Sequence, residues 1–476
     1  MGVVLVVACG PLLGQELRHE VGLRLRPLER EWAAAGPEAR ERVLPHMERA
    51  VRAFFGLNAA GVARSFDVAR LRLEGSSGPP RWFDALSVQP TPRVLEPEAA
   101  LSLRITSIYE TSDRWPEASV LLATGRGPTG ELVAFRLSRP GSIKPRSVEL
   151  PWKLSVGDWT LTFLLRSGGQ PLRTWQDTIT VCEDARGRIA TLRTRIAAQA
   201  KTSDPKLAVQ RATADVLLTR CEQVVGGLVP EQPFGIDAAL TRITQLISAV
   251  ESQRFAGLGH GEQWWVVPRG AKRARLRLWI PRPLNRGSRS SVNPPLVVAV
   301  HGLGGSENLF FEGYGNGEIV KLCRERGWAL VAPRQPLFGG MPIHHLLEEL
   351  APLVAFDPDR VLIVGHSKGA GETLGAVQAT KAPFLAAALI GGGGVVFDAA
   401  AARRTPFWVA TGASDFGRGI AERTHQALVR AGASSEWHII PHTEHMTAVA
   451  GALPGVFEFF DRQLPPTRPA LRRERF

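Results

Sequence analysis

From about residue 262 onward, short unbroken apolar segments alternate with segments of helical spacing. PLVVAVHG is followed by GEIVKLCRERG, then WALVAPR, HHLLEELAPLV, VLIVGHS and GAGETLGAVQAT. FLAAALIGGGG, PFWVATGASD, IAERTHQALVRAG and EWHIIP complete the series. A strand whose apolar residues do not alternate with polar ones must be covered on both faces. The amphipathic segments between such strands are the natural covers. The pattern therefore predicts an α/β unit with a doubly wound, mostly parallel sheet. EQWWVVPRG and ARLRLWIPRPL, at its start, read as a hairpin, and residues 281–295 as a loop.

Several strand ends carry residues with chemistry. VLIV runs into Gly365-His366-Ser367-Lys368-Gly369, and a helical segment follows. Strand, GxSxG and helix in that order match the sharp turn that holds a nucleophilic serine above a parallel sheet. A serine hydroxyl needs a base, and the base needs a carboxylate to orient it. In this turn's usual architecture the acid and then the histidine follow the serine in the chain. Asp415 lies in the loop after PFWVATG, and His445 in the loop after EWHIIP. The alternatives are Asp398, one strand earlier, and His442, directly after Pro441. His438 alternates inside a strand and reads as packing. His344 and His345 begin a helix and are open to a surface or substrate-lining role. Asp357 and Asp359 read as turn residues before the nucleophile strand. A developing oxyanion requires two backbone N–H donors. Lys368, after the serine, and Leu303, in His301-Gly302-Leu303-Gly304-Gly305, are the expected pair, with His301 structural. Gly313-Tyr314-Gly315-Asn316-Gly317 looks like a phosphate loop but lacks its spacing and its preceding strand. Gly391–Gly394 reads as a strand-end loop beside the site.

On the blocks PLVVAVHGLGGSE, FDPDRVLIVGHSKGAG, ATGASD and IIPHTEHM, residues 262–464 resemble an α/β-hydrolase of the carboxylesterase kind. They are similar to the esterase D, feruloyl-esterase and polyhydroxybutyrate-depolymerase-like groups. The resemblance implies a serine hydrolase that cleaves carboxylic esters through an acyl-enzyme, with no cofactor and a small-molecule or polymeric ester as substrate. Lys368 departs from the small or apolar residue usual after the serine, and its cation is expected to bias substrate charge. Two other readings stand beside this one. One is a serine peptidase of the prolyl-oligopeptidase type; the other is a non-catalytic binding protein with a degenerate hydrolase domain.

The 476-residue length calls for more than one core. Residues 15–96 read as a helical region ending in a proline-rich linker. Residues 97–185 carry six short period-two segments, the pattern of an all-β, antiparallel, immunoglobulin-like sandwich. Residues 186–258 read as a helical connector and 465–476 as a disordered tail. A propeller is disfavoured, because no repeat is evident. The formal charge of +13 comes mostly from scattered arginines with no dense basic run, which argues against a nucleic-acid partner. Four dispersed cysteines form no metal-ligand pattern and leave room for one bridge, Cys182–Cys221. No metal site and no transmembrane span are evident. Residues 1–14 resemble a truncated secretory signal, with Val6-Val7-Ala8-Cys9 like a lipoprotein box, and the expectation is export. The alternative is a buried first strand in a cytoplasmic protein. Oligomeric state is not legible.

Overall fold

The computed structural model describes residues 11–112, 119–138, 146–199, 202, 204–270, 272–282, 293–336, 340–379 and 384–465. Of the segment 1–14 read as a signal, residues 1–10 fall outside these residues and 11–14 lie in the helix Pro11–Ala34; the tail falls outside them from residue 466. The chain divides into two compact units. One comprises the described residues of Met1–Trp32, Pro45–Ser203 and Thr213–Arg254. The other comprises those of Ala33–Leu44, Asp204–Ala212 and Phe255–Phe476.

An eight-stranded sheet forms the frame of the second unit. Its strands are β1 (Gly261–Arg269), β2 (Lys272–Ile280), β3 (Leu296–Val300), β4 (Ala329–Pro333), β5 (Val361–His366), β6 (Phe384–Ile390), β7 (Phe407–Gly412) and β8 (Ser435–Ile440). Their spatial order is β8-β7-β6-β5-β3-β4-β2-β1. The hairpin β1–β2 and the β2–β4 pair are antiparallel, and all other neighbours are parallel. Every residue of β3, β4, β5 and β7 is buried, whereas the edge strand β8 is not. This is why the central strands read as continuous apolar runs.

The intervening helices are α1 (Leu309–Glu312), α2 (Tyr314–Arg326), α3 (Ile343–Leu350), α4 (Lys368–Gln378), α5 (Ala399–Arg403), α6 (Arg418–Arg430) and α7 (Thr447–Gln463). One face of the sheet shares a core with α2 and α7, including Val297, Val364, Trp328 and Phe457. The rings of Trp328 and Phe457 stack with centroids 5.5 Å apart. Each such fully buried side chain contributes roughly 1.5–3 kcal/mol. Chain order reverses direction between β3 and β5, the place in such sheets where ligands bind outside the carboxyl ends of the strands.

The first unit contains the helices Ala59–Leu73, Ala185–Ala198 and Ile236–Glu251, parts of the helices Pro11–Ala34, Pro37–Phe55 and Pro205–Val225, and two sheets. A three-stranded sheet (Leu86–Thr91, Leu101–Ser107, Arg146–Leu150) and a five-stranded sheet share one core, with Leu103 and Ile105 from the first and Leu161 and Phe163 from the second. Three expectations need correction here. The proline-rich stretch read as linker contains the strand Leu86–Thr91, paired with Leu101–Ser107. Pro90 is tolerated because this is an edge strand. The sheets are not purely antiparallel, since Val94–Leu95 pairs in parallel with Thr180–Val181. Cys182 and Cys221 are both free and buried, so the candidate bridge is absent.

Buried charge locks the helix Pro11–Ala34 against this edge strand. Arg24 donates to Glu20 at 2.5 Å, to Asp67 at 3.1 Å and to the Asp84 carbonyl at 3.1 Å. Glu20 in turn accepts from Ser87. Buried charges are tolerable only when paired in this way. Arg24 holds the Glu20 carboxyl below its usual range against the opposing effect of burial.

Candidate active site

Ser367 sits between β5 and α4 with a positive φ, 56°, and ψ −119°. Such a backbone costs on the order of 1–3 kcal/mol and persists only where its surroundings enforce it. Its N–H donates to the Ile390 carbonyl at 2.8 Å, and its carbonyl accepts from Ala370 at 3.0 Å. The flanking glycines are required by contact. A Cβ on Gly365 would lie 2.2 Å from the Gly369 carbonyl oxygen, and one on Gly369 would lie 2.1 Å from that of Val300.

The fold brings Asp415 and His445 together. His445 Nδ1 donates to Asp415 Oδ1 at 2.8 Å, and both side chains are buried. Asp415 Oδ1 also accepts the Gly417 N–H at 2.6 Å, which fixes the carboxylate in its loop. The serine and this pair meet through the loop after β6. A Cβ on Gly392 would lie 2.3 Å from the Ser367 carbonyl oxygen, and one on Gly391 would lie 3.3 Å from His445 Nδ1.

The loop that carries His445 is braced from within. Glu444, fully buried, accepts the N–H groups of Met446 and Thr447 at 2.9 Å each. Its own N–H donates to Thr447 Oγ1 at 3.1 Å. Burial pushes the Glu444 carboxyl up despite these donors. Next to it, the Phe416 ring lies 4.1 Å from that of His445 and is 65% exposed, so it presents an apolar surface at the site.

The alternatives are committed elsewhere. Asp398 caps α5 by accepting from Ala401 at 2.9 Å. His442 Nδ1 lies 2.8 Å from Glu41 Oε1. His438 stacks on Trp408 at 4.5 Å, in keeping with a packing role. Asp357 accepts the Asp359 N–H at 3.0 Å, as a turn residue does. His344 and His345 sit ring to ring at 4.1 Å, and His344 helps line a cavity of about 270 Å³ with Met341, Glu372 and Ala376.

The expected oxyanion donors occupy suitable backbone. Gly305 N–H donates to the Gly302 carbonyl at 3.1 Å across Leu303 and Gly304. Gly304 takes the positive φ, 78°, that the third position of a type II turn demands. A Cβ on Gly302 would lie 3.2 Å from Ser367 Cβ, so this turn abuts Ser367. Lys368 opens α4, where an N–H has no carbonyl four residues back within the helix. The side chain of Lys368 does not act as the free cation expected from sequence. Its Nζ pairs with Glu372 and donates to the Pro336 carbonyl at 3.3 Å, which offsets the charge locally. His301 is structural: Nε2 accepts from Gln335 N–H at 3.0 Å, which leaves Nδ1–H to face the Gly302 carbonyl at 2.8 Å.

Sequence reasoning missed His366 and Tyr314. His366 is buried beside His445 with ring centroids 4.5 Å apart, and Tyr314 Oη lies 2.6 Å from His366 Nδ1. The GYGNG stretch was the available signal. It forms no phosphate loop; it is a left-handed turn at the start of α2. Among the described residues no group of three or more His, Cys, Asp or Glu could hold a metal ion, and no helix is long and apolar enough to cross a membrane.

No family model matches the chain, and no curated protein does. Among solved structures it is similar to the fluorophosphonate-binding serine hydrolase FphF of Staphylococcus aureus, at 15% identity and a TM-score of 0.36, covering 42% of this chain and 99% of that one. It is similar to a ferulic acid esterase at 14% identity and a TM-score of 0.36, covering 44% and 100%. A thermostable esterase is similar at 13% identity and a TM-score of 0.37, covering 79% and 99%.

Proposed function

We propose that this protein is a serine hydrolase that cleaves carboxylic esters, with Ser367 as nucleophile, His445 as base and Asp415 as its orienting acid. One observation carries the reading. A buried Asp415–His445 hydrogen bond and a serine of strained φ, held in its turn by two obligatory glycines, both abut the Gly391–Gly392 loop. Asp415 accepting from Nδ1 leaves Nε2 of neutral His445 as the proton acceptor. In this scheme Ser367 Oγ attacks the ester carbonyl and passes its proton to His445 Nε2. The Leu303 and Lys368 amides receive the oxyanion. Collapse of the tetrahedral intermediate expels the alcohol, which takes the proton from His445. Water, deprotonated by the same imidazole, then cleaves the acyl-enzyme. No cofactor enters any step.

The exposed side chains of Leu303 and Phe416 border the site and favour an apolar acyl or alcohol group. Hydrolysis of p-nitrophenyl esters of graded chain length, measured beside aminoacyl amides, tests the reading. Ester turnover exceeding amide turnover is the expected result; amide cleavage as the dominant activity would move the protein to the peptidases. Export remains a proposal resting on residues 1–14 alone.

A further inference from the structure

The turn at 314–317 is unusual. Tyr314, Gly315, Asn316 and Gly317 all have positive φ, between 50° and 84°. Consecutive left-handed residues are disfavoured for L-amino acids, and two of these four are not glycine. Gly317 is held tightly, because a Cβ there would lie 2.3 Å from the Phe311 carbonyl oxygen. Strain of this kind persists where the surroundings over-determine it, often near functional sites.

Its product is the position of Tyr314, which is 1% exposed and edge-on to Phe310 at 4.8 Å. The Tyr314 hydroxyl reaches His366 Nδ1 at 2.6 Å, and His366 Nε2 reaches the His445 backbone carbonyl at 3.0 Å. A carbonyl can only accept, so Nε2 of His366 carries the hydrogen. Burial holds the His366 pKa well below 6.5, so the ring is neutral and Nδ1 is a bare acceptor. Tyr314 therefore donates, and this fixes the tautomer. Were the proton on Nδ1, the Nε2 lone pair would face the His445 carbonyl oxygen and repel it.

We infer that Tyr314 and His366 are positioning residues for the catalytic base, a hydrogen-bond chain that sets the backbone and ring of His445 from beneath. The inference rests on the hydrolase reading above. The chain acts on the His445 backbone carbonyl while Asp415 acts on its ring nitrogen, so the residue is held at two points. Small misplacements of a catalytic group can cost about a hundredfold in rate.

The test compares full-length Tyr314→Phe, His366→Leu and His366→Gln with the parent protein, using a p-nitrophenyl ester and a fluorophosphonate probe. Each variant is first checked for native near-ultraviolet circular dichroism. Tyr314→Phe and His366→Leu should lower kcat by roughly 10- to 100-fold with KM changed by less than about twofold. Fluorophosphonate labelling of Ser367 should slow by the same factor. His366→Gln keeps an N–H donor near the Nε2 position and should recover most of the rate. The downfield proton resonance of the His445–Asp415 hydrogen bond should broaden in the first two variants and persist in the glutamine variant. Folded Tyr314→Phe and His366→Leu proteins with kcat near that of the parent would overturn the inference alone. A parent protein that neither turns over ester nor labels at Ser367 would overturn the hydrolase reading and this inference with it.

Discussion

Two histidines three residues apart illustrate how differently one loop can use the same side chain. His445 is buried against Asp415, whereas His442 is partly exposed beside Glu41. His445→Ala should therefore lower kcat about as far as loss of the nucleophile does, since the two act as a unit. His442→Ala should stay within a few-fold of the parent on a p-nitrophenyl ester. The opposite ranking would transfer the base to His442. His366 adds a pH prediction. Its folded pKa is depressed below 6.5 by burial, so below about 6.5 the unfolded chain takes up a proton that the native ring refuses. Stability from this group is present above that pH and is lost as pH falls. Melting midpoints near pH 7.5 and near pH 5.5 should lie closer together in His366→Gln than in the parent. An unchanged gap would assign the acid sensitivity to another group. The Asp415–His445 contact and the turn at Ser367 were legible in the sequence because each of the three residues is tied to a strand end in a set order. His366 was not, because the second position of GxSxG is unconstrained by the turn and its meaning depends on Tyr314, fifty-two residues earlier.

At the level of elements, α4 contrasts two glycines one and a half turns apart. Gly369 touches the β3 backbone, and a Cβ there would lie 2.1 Å from the Val300 carbonyl oxygen. Nothing lies within 4 Å of a Cβ on Gly375. Gly369→Ala should thus destabilise by about 3 kcal/mol or more, read by denaturant unfolding, or prevent soluble expression. Gly375→Ala should be neutral or stabilise by about 0.5–1 kcal/mol, since helix propensity rises with no steric opposition. Equal effects would show that the close approach of α4 to β3 is not what the glycine serves. The alternating strands and helices of the second unit were legible because burial on both faces leaves an unmistakable apolar run. The strand Leu86–Thr91 was not, because Pro90 and Pro92 look like breakers until the edge position of that strand is known. The short parallel pairing of Val94 and Leu95 is hidden for a related reason, since two residues carry no period.

For the whole molecule, the unit containing Ser367, Asp415 and His445 is not one continuous stretch of chain. Sequence pattern placed its start near residue 262, yet Ala33–Leu44 and Asp204–Ala212 cluster with it. Glu41 meets His442, and Gln210 Oε1 accepts from the Ala256 N–H. Neither segment carries a strand or a reactive residue, so periodicity had nothing to report about where they dock. A chain starting at residue 256 keeps Ser367, Asp415 and His445 but lacks both segments. Its melting midpoint should fall by roughly 5 °C or more relative to the full chain, given about 2–4 °C per kcal/mol for a unit of this size. Fluorophosphonate labelling should persist in whatever fraction remains folded. Soluble, folded fragment that fails to label would mean that upstream residues contribute directly to the site.

The proposed role of Ser367 is tested by mass spectrometry of the full-length protein after reaction with a fluorophosphonate, followed by peptide mapping, for the parent and for Ser367→Ala. One phosphonyl adduct on Ser367 is expected in the parent and none in the variant. A loss of ester kcat on the order of 10³ or more is expected in a variant that stays folded. An adduct on another serine, or near-native turnover by Ser367→Ala, would rule out Ser367 as the nucleophile.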